Sequence, residues 1–142
     1  MNTCKETAYE RLTAHGVKPS VQRIAIMEYL LEHFTHPTVE DIYSALHPAM
    51  PTLSKTTVYN TLRLFAEQRV ALMISIDDHH VCYDGNIVPH AHYYCEQCGR
   101  IIDLCGVPVP CLRKTSELQG HDVSSVQLYY RGTCRECKEK KS

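Results

Sequence analysis

No apolar run in this 142-residue chain approaches the roughly 20 residues that a membrane-spanning helix needs. The opening stretch "MNTCKETAYERL" carries charge within its first ten residues and has no apolar segment of the kind a secretory signal requires. The expectation is a cytoplasmic protein. Internal repeats and low-complexity tracts are also missing, and so is a strong charge of either sign: the formal net charge is -1. Lys and Arg stand against Asp and Glu at 7 to 10 in residues 1–84 and at 8 to 6 in residues 85–142. Bulk charge therefore gives no support to a nucleic-acid partner, and such a role has to rest on where particular basic residues sit.

What is present fits a soluble globular chain, with 44% hydrophobic and 22% charged residues. The length suits one ordinary domain or two small ones, and each small one would have a thin core. A second stabilising device is expected. Eight cysteines do not make a secreted disulfide framework here, because that reading wants a signal peptide and a loop-rich chain.

The first seventy residues read as helices. Ser20 precedes "VQRIAIMEYLLEHF", in which Ile24, Met27, Leu31 and Phe34 recur at helical spacing. Thr38 with Asp41 forms a capping-box start for "VEDIYSAL", which the His47-Pro48 break ends. Ser54 then caps "KTTVYNTLRLFAEQ", and two β-rich runs follow, "VALMISI" and "HVCYD", around the turn-like "DDHH". Three helices and a hairpin, in that order, predict a winged helix-turn-helix. After about Asp84 the linker "DGNIVPH" leads to strand-like "HYYC" and "RIIDL", a helix in "CLRKTSELQ" and a strand in "VSSVQLYY". The class is α+β in two lobes, residues 1–84 and 85–142, with a hinge at about 84–89.

In the helix after Ser54, Val58, Leu62, Phe65 and Ala66 share one face, while Thr56, Tyr59, Asn60 and Arg63 form a stripe on the other. The stripe is either an ordinary solvated face or a surface for phosphates, base edges and thymine methyl groups. Its place as the third helix before a hairpin favours double-stranded DNA, with Lys18 and Arg23 as phosphate anchors at the start of the second helix.

Cys95-x-x-Cys98 is matched by Cys134-x-x-Cys137, with 35 residues between. Zinc takes four thiolates tetrahedrally, and a two-residue spacer lets one tight turn supply two of them. Such a site has no open position, so it is structural, tying together the ends of a subdomain with a small core. The competing readings are two redox dithiols or buried thiols, but a thioredoxin-like motif expects a βαβ setting that is absent. Cys4, Cys82, Cys105 and Cys111 lack a partner pattern and read as ordinary thiols.

Beside the thiolates stand His90 and His92, separated by one residue on a predicted strand, so their rings project from one face. Asp103 lies on "RIIDL", expected to pair with "HYYC"; Asp84 sits at the hinge; His36 lies in the first lobe. Imidazoles and carboxylates suit iron(II), manganese(II) or zinc, and ligand type alone does not choose among them. His79 and His80 are spare ligands, while His15, His33, His47 and His121 read as surface or core residues.

"HPTVEDIYSAL", "TTVYNTLRLF", "HAHYYCEQCGR" with "IIDL", and "CRECK" resemble, in order and spacing, the Fur family of metal-dependent bacterial repressors. The resemblance covers nearly the whole chain. It implies a homodimer in which a winged-helix lobe is joined by a hinge to an α/β dimerisation lobe that carries the four-cysteine zinc site. Structural zinc would fall on Cys95, Cys98, Cys134 and Cys137, and a regulatory Fe(II) or Mn(II), replaceable by Zn(II) in vitro, on His36, Asp84, His90, His92 and Asp103. Within the family the chain looks closest to the peroxide-sensing PerR branch, with aspartates at 84 and 103 and Asn60 directly after Tyr59. A further metal site of many Fur proteins would need an acid and a histidine where Ala91 and Val126 stand.

The resemblance implies that the metal locks the dimer onto a palindromic operator and that iron-catalysed oxidation of His36 or His90 releases it. An iron-sensing Fur-type repressor is the alternative. A non-haem metalloenzyme built on His90, His92 and a carboxylate, or a thiol redox protein, would leave the stripe of Thr56, Tyr59, Asn60 and Arg63 unexplained.

Overall fold

The computed structural model describes residues 6–77, 80–109, 118–123 and 126–140, with the side chains at 76, 77 and 80 left aside. The chain divides into two compact units, Met1–Ile87 and Val88–Ser142. The expected helix in "CLRKTSELQ" lies almost wholly outside the described residues.

The described residues of the first unit form four helices and a hairpin: α1 (Ala8–Ala14), α2 (Val21–Glu32), α3 (Val39–Leu46), α4 (Lys55–Glu67), β1 (Leu72–Asp77) and β2 (His80–Asp84). Each helix starts where a side-chain oxygen satisfies a free backbone N–H. Thr7 and Thr38 make reciprocal capping boxes with Glu10 and Asp41, and Ser20 and Ser54 accept from Arg23 N and Thr57 N. The α1 helix is additional to the three expected, so the candidate recognition helix, α4, is the fourth. Strands β1 and β2 pair antiparallel from Leu72↔Asp84 to Asp77↔His80, forming the wing.

Leu12, Ile26, Met27, Leu30, Ile42, Val58, Leu62 and Phe65 lose all contact with solvent and form the core of this unit. Full burial of each such side chain stabilises by about 1.5–3 kcal/mol relative to exposure. The buried face of α4 is the one its sequence predicts, with Ala66 only half-buried. The α2 helix turns differently. Ile26, Met27 and Leu30 face the core, whereas Ile24 and Leu31 are half-buried and Phe34 lies beyond the helix end, exposed.

The second unit contains β3 (Ala91–Cys95), β4 (Ile101–Leu104), β5 (Tyr129–Gly132) and α5 (Arg135–Lys140). Its sheet has the order β4-β3-β5, antiparallel on one side and parallel on the other. The last strand begins later than "VSSVQLYY" implies, and α5 is additional to the expected elements. Parallel pairing of β3 with β5, ending at Cys95↔Gly132, brings both Cys-x-x-Cys motifs to one end of the sheet. At Gly132 a Cβ would stand 2.6 Å from the Tyr93 hydroxyl, which donates to the Thr133 carbonyl at 3.1 Å and braces the chain one residue before Cys134.

Candidate metal centres and nucleic-acid interface

The end of β3, the turn after it, and the start of α5 supply the four cysteines. Cys95 closes β3, Cys98 follows in a turn that Gly99 completes at φ 74, Cys134 precedes α5, and Cys137 lies in its first turn. All four sulfurs lie within 4.8 Å of one another, and the Cys95–Cys137 and Cys98–Cys134 separations are both 3.8 Å. A tetrahedron with Zn–S bonds of about 2.3 Å has edges of about 3.8 Å. The spacing fits zinc.

Thiols this close cannot all ionise without a cation among them. Backbone N–H groups of Cys98 and Cys134 donate to Cys95 Sγ at 3.4 and 3.3 Å and hold its thiol down to about 6. Hydrogen bonding with Cys134, then burial, pushes the Cys137 thiol up to about 12. A dication at the centre favours all four thiolates at once. Arg100 and Glu136 pair at 2.5 Å across the rim between the two motifs.

The nitrogen and oxygen ligands fall into two sets, one per unit. In the first unit, the Tyr83 N–H donates to the Pro37 carbonyl at 2.9 Å and docks the segment before α3 against β2. His36 takes a left-handed backbone, φ 58, a conformation that costs a residue with a Cβ about 1–2 kcal/mol. Its buried imidazole faces Asp84, with Nε2 3.5 Å from Oδ2. Asp84 is 1% exposed and closes β2, so it belongs to the first unit and does not stand in a linker. Its Oδ1 accepts from the Asn86 N–H at 2.9 Å.

In the second unit, His92 and Asp103 sit directly opposite each other on β3 and β4, and His90 immediately precedes β3. The two imidazole Nε2 atoms lie 3.1 and 3.2 Å from the same Asp103 oxygen, and the rings are 4.4 Å apart. His90 Nδ1 is 2.7 Å from the Val88 carbonyl. A carbonyl only accepts, so Nδ1 carries the proton and Nε2 is the atom left to face the carboxylate. Either a second proton on Nε2 or a metal ion held between the two atoms makes that approach favourable. Ligands about 2.1 Å from a metal are about 3.0–3.4 Å from each other, so this donor set fits a divalent ion.

Of the spare ligands, His79 lies outside the described residues and His80 is described only as backbone in β2. His33 stacks on Tyr29 at 4.2 Å and donates to its carbonyl, and His47 stacks on Tyr43. Cys82 is buried in β2 and donates to the Ile74 carbonyl, Cys105 is exposed, and residues Cys4 and Cys111 lie outside the described residues. The roles of Asn86 and Val88 are backbone roles, and no side-chain pattern announces them.

On α4, Thr56, Tyr59, Asn60 and Arg63 are all exposed. Arg63 pairs with Glu67 one turn on at 3.2 Å. A hollow between the start of α2 and α4 is lined by Lys18, Ser20, Arg23, Thr57 and Thr61, and Arg23 donates to the Lys18 carbonyl at 2.8 Å.

The model of the ferric uptake regulator family matches residues 14–131. The chain belongs to that family. The peroxide-responsive repressor PerR of Staphylococcus aureus strain USA300 is 36% identical to it over 139 residues, covering 95% of this chain and 92% of the relative. Among solved structures, the ferric uptake regulator of Helicobacter pylori superposes with a TM-score of 0.68 at 21% identity, covering 92% and 89% of the two chains, and shows the shared fold. PerR from Streptococcus pyogenes superposes at 0.51 with 27% identity, covering 92% and 93%. At family level the chain is a metal-responsive transcription regulator and not an enzyme. No helix among the described residues is long and apolar enough to cross a membrane.

Proposed function

We propose that this regulator is a peroxide-sensing repressor of palindromic operators, working as a homodimer in the cytoplasm. Cys95, Cys98, Cys134 and Cys137 hold a structural zinc, and His36, Asp84, His90, His92 and Asp103 hold one regulatory Fe(II) or Mn(II). The observation that carries this reading is the pair of half-complete donor sets: an imidazole with a carboxylate in the first unit, two imidazoles on one carboxylate oxygen in the second. Likeness to PerR of Staphylococcus aureus supports the peroxide branch.

His36 and Asp84 bind the ion from the first unit and His90, His92 and Asp103 from the second. Ligands drawn from both units favour the arrangement in which all five reach the ion, and each 1.4 kcal/mol of preference shifts the population about tenfold. In that arrangement Thr56, Tyr59, Asn60 and Arg63 of each α4 enter the major groove while Lys18 and Arg23 contact phosphates. Iron(II) held by these five residues would supply redox catalysis toward hydrogen peroxide, in which the imidazole of His36 or His90 is the net two-electron reductant. One peroxide oxygen would be added to the ring and the other would leave as water. The oxidised ring would be a poor ligand, so the five-residue set would lose its hold on the ion and the operator would be released.

Operator binding by gel shift, with iron(II) or manganese(II) and with or without peroxide, tests the reading when followed by mass spectrometry of the peptides bearing His36 and His90. Peroxide is expected to abolish the iron(II) complex, leave the manganese(II) complex intact, and add one oxygen atom to those peptides. An iron(II) complex indifferent to peroxide favours an iron-sensing repressor. Binding independent of any metal contradicts both.

A further inference from the structure

Arg11 is a charged residue of α1 with only 8% of its surface exposed. Its Nη1 donates to the Val70 carbonyl at 3.0 Å and to the Gly85 carbonyl at 2.8 Å, and its Nε pairs with Glu6 at 2.8 Å. A buried guanidinium is costly unless its donors are satisfied, and two of the groups it satisfies are backbone carbonyls far away in sequence.

The Gly85 carbonyl shares a peptide plane with the Asn86 N–H. That N–H donates to Asp84 Oδ1 at 2.9 Å, while Asp84 Oδ2 faces His36. All peptide bonds among the described residues are trans, so carbonyl and N–H point in opposite directions within the plane, from its two edges. One side is held by the guanidinium and the other holds the carboxylate. The plane has little freedom to tip, because Gly85 presses on α2: a Cβ there would stand 2.6 Å from the Leu30 carbonyl oxygen. A cation at the carbonyl also polarises the amide and strengthens its N–H as a donor.

We propose that Arg11 is a positioning residue for the regulatory metal, acting through the Gly85–Asn86 peptide to fix the Asp84 carboxylate with Oδ2 turned toward His36. The inference rests on the proposed role of Asp84 as a ligand. Arg11 touches neither ligand directly. It does for a carboxylate what an outer hydrogen bond does for a ligating imidazole, and loss of such a partner typically weakens metal binding about 10–100-fold.

The test uses the full-length, zinc-loaded protein. Mn(II) affinity is measured by calorimetry for the parent, Arg11→Met and Arg11→Lys, with hydrogen exchange of the Asn86 amide followed by NMR in the absence of manganese. Arg11→Met is expected to bind Mn(II) about tenfold more weakly and to exchange the Asn86 amide faster. Arg11→Lys, which keeps a cation near the carbonyl, is expected to recover much of both. Operator affinity at saturating Mn(II) should stay at the parent value, since the fault lies in capturing the ion. A purely structural residue would lower the unfolding midpoint and leave Mn(II) affinity unchanged, and that result in a folded Arg11→Met protein overturns the proposal. If Arg11→Met does not fold, Arg11→Gln decides in the same way. A parent that binds no Mn(II), but whose Asn86 amide responds to Arg11 as expected, sinks the regulatory-site reading and the metal-positioning role with it, leaving only the peptide clamp.

Discussion

The two units of this chain solve the problem of small size differently. In Met1–Ile87 the described buried hydrophobics, Ile74 and Cys82 apart, form a single cluster from Ala8 to Tyr83 that draws on helices α1 to α4 and the hairpin. In Val88–Ser142 the buried hydrophobics among the described residues are Ala91, Cys95 and Cys134. Two of those three are thiols of the four-cysteine cluster. A structural zinc bound there, as proposed, would add stability of the order of the apparent binding energies of such sites, about 10–16 kcal/mol. The difference also divides the work: a unit with its own core can present a rigid helix to a partner, and a unit organised by metal can hold a second ion's ligands in place.

Removing zinc should break the comparison most sharply. Chelation, or Cys95→Ser, is expected to unfold the second unit while helices α1 to α4 persist, as limited proteolysis with mass spectrometry would show by protection confined to residues up to about Ile87. Simultaneous loss of protection in both units would mean that the first does not stand on its own core.

The reverse experiment has a smaller effect. Phe65→Ala empties a fully buried position in α4 and should cost about 3–5 kcal/mol of first-unit stability in urea, with the zinc content of the protein unchanged. Smaller still is Ser54→Ala, which removes the side chain that accepts from Thr57 N at the start of α4. About 1 kcal/mol is expected, with faster hydrogen exchange confined to the first turn of α4.

Much of this was legible in the sequence because the signals were local. The caps at Ser20, Thr38 and Ser54 stand where their short polar side chains announced them, and two Cys-x-x-Cys motifs leave few ways to satisfy four thiolates. His92 and Asp103 followed from strand pairing. Less local features were hidden. The seven-residue α1 is too short to show a stripe, and apolar residues lie nearly all round α2, so its sequence offers two overlapping faces and only packing selects Ile26 and Leu30. The start of β5 depends on what β3 offers as a partner. The left-handed backbone of His36 precedes a proline, where extended geometry is the usual expectation. Arg11 reads as one more helix-surface cation until Val70 and Gly85 are seen against it.

On the proposed reading, one exchangeable ion takes ligands from both units. Operator affinity of the full-length, zinc-loaded protein, measured by fluorescence anisotropy across a manganese(II) titration in the parent and in His36→Ala, tests this most directly. The parent should tighten on its operator as manganese(II) is added, whereas His36→Ala should keep its zinc and fold yet show little or no tightening. An equal rise in the two proteins would contradict the account.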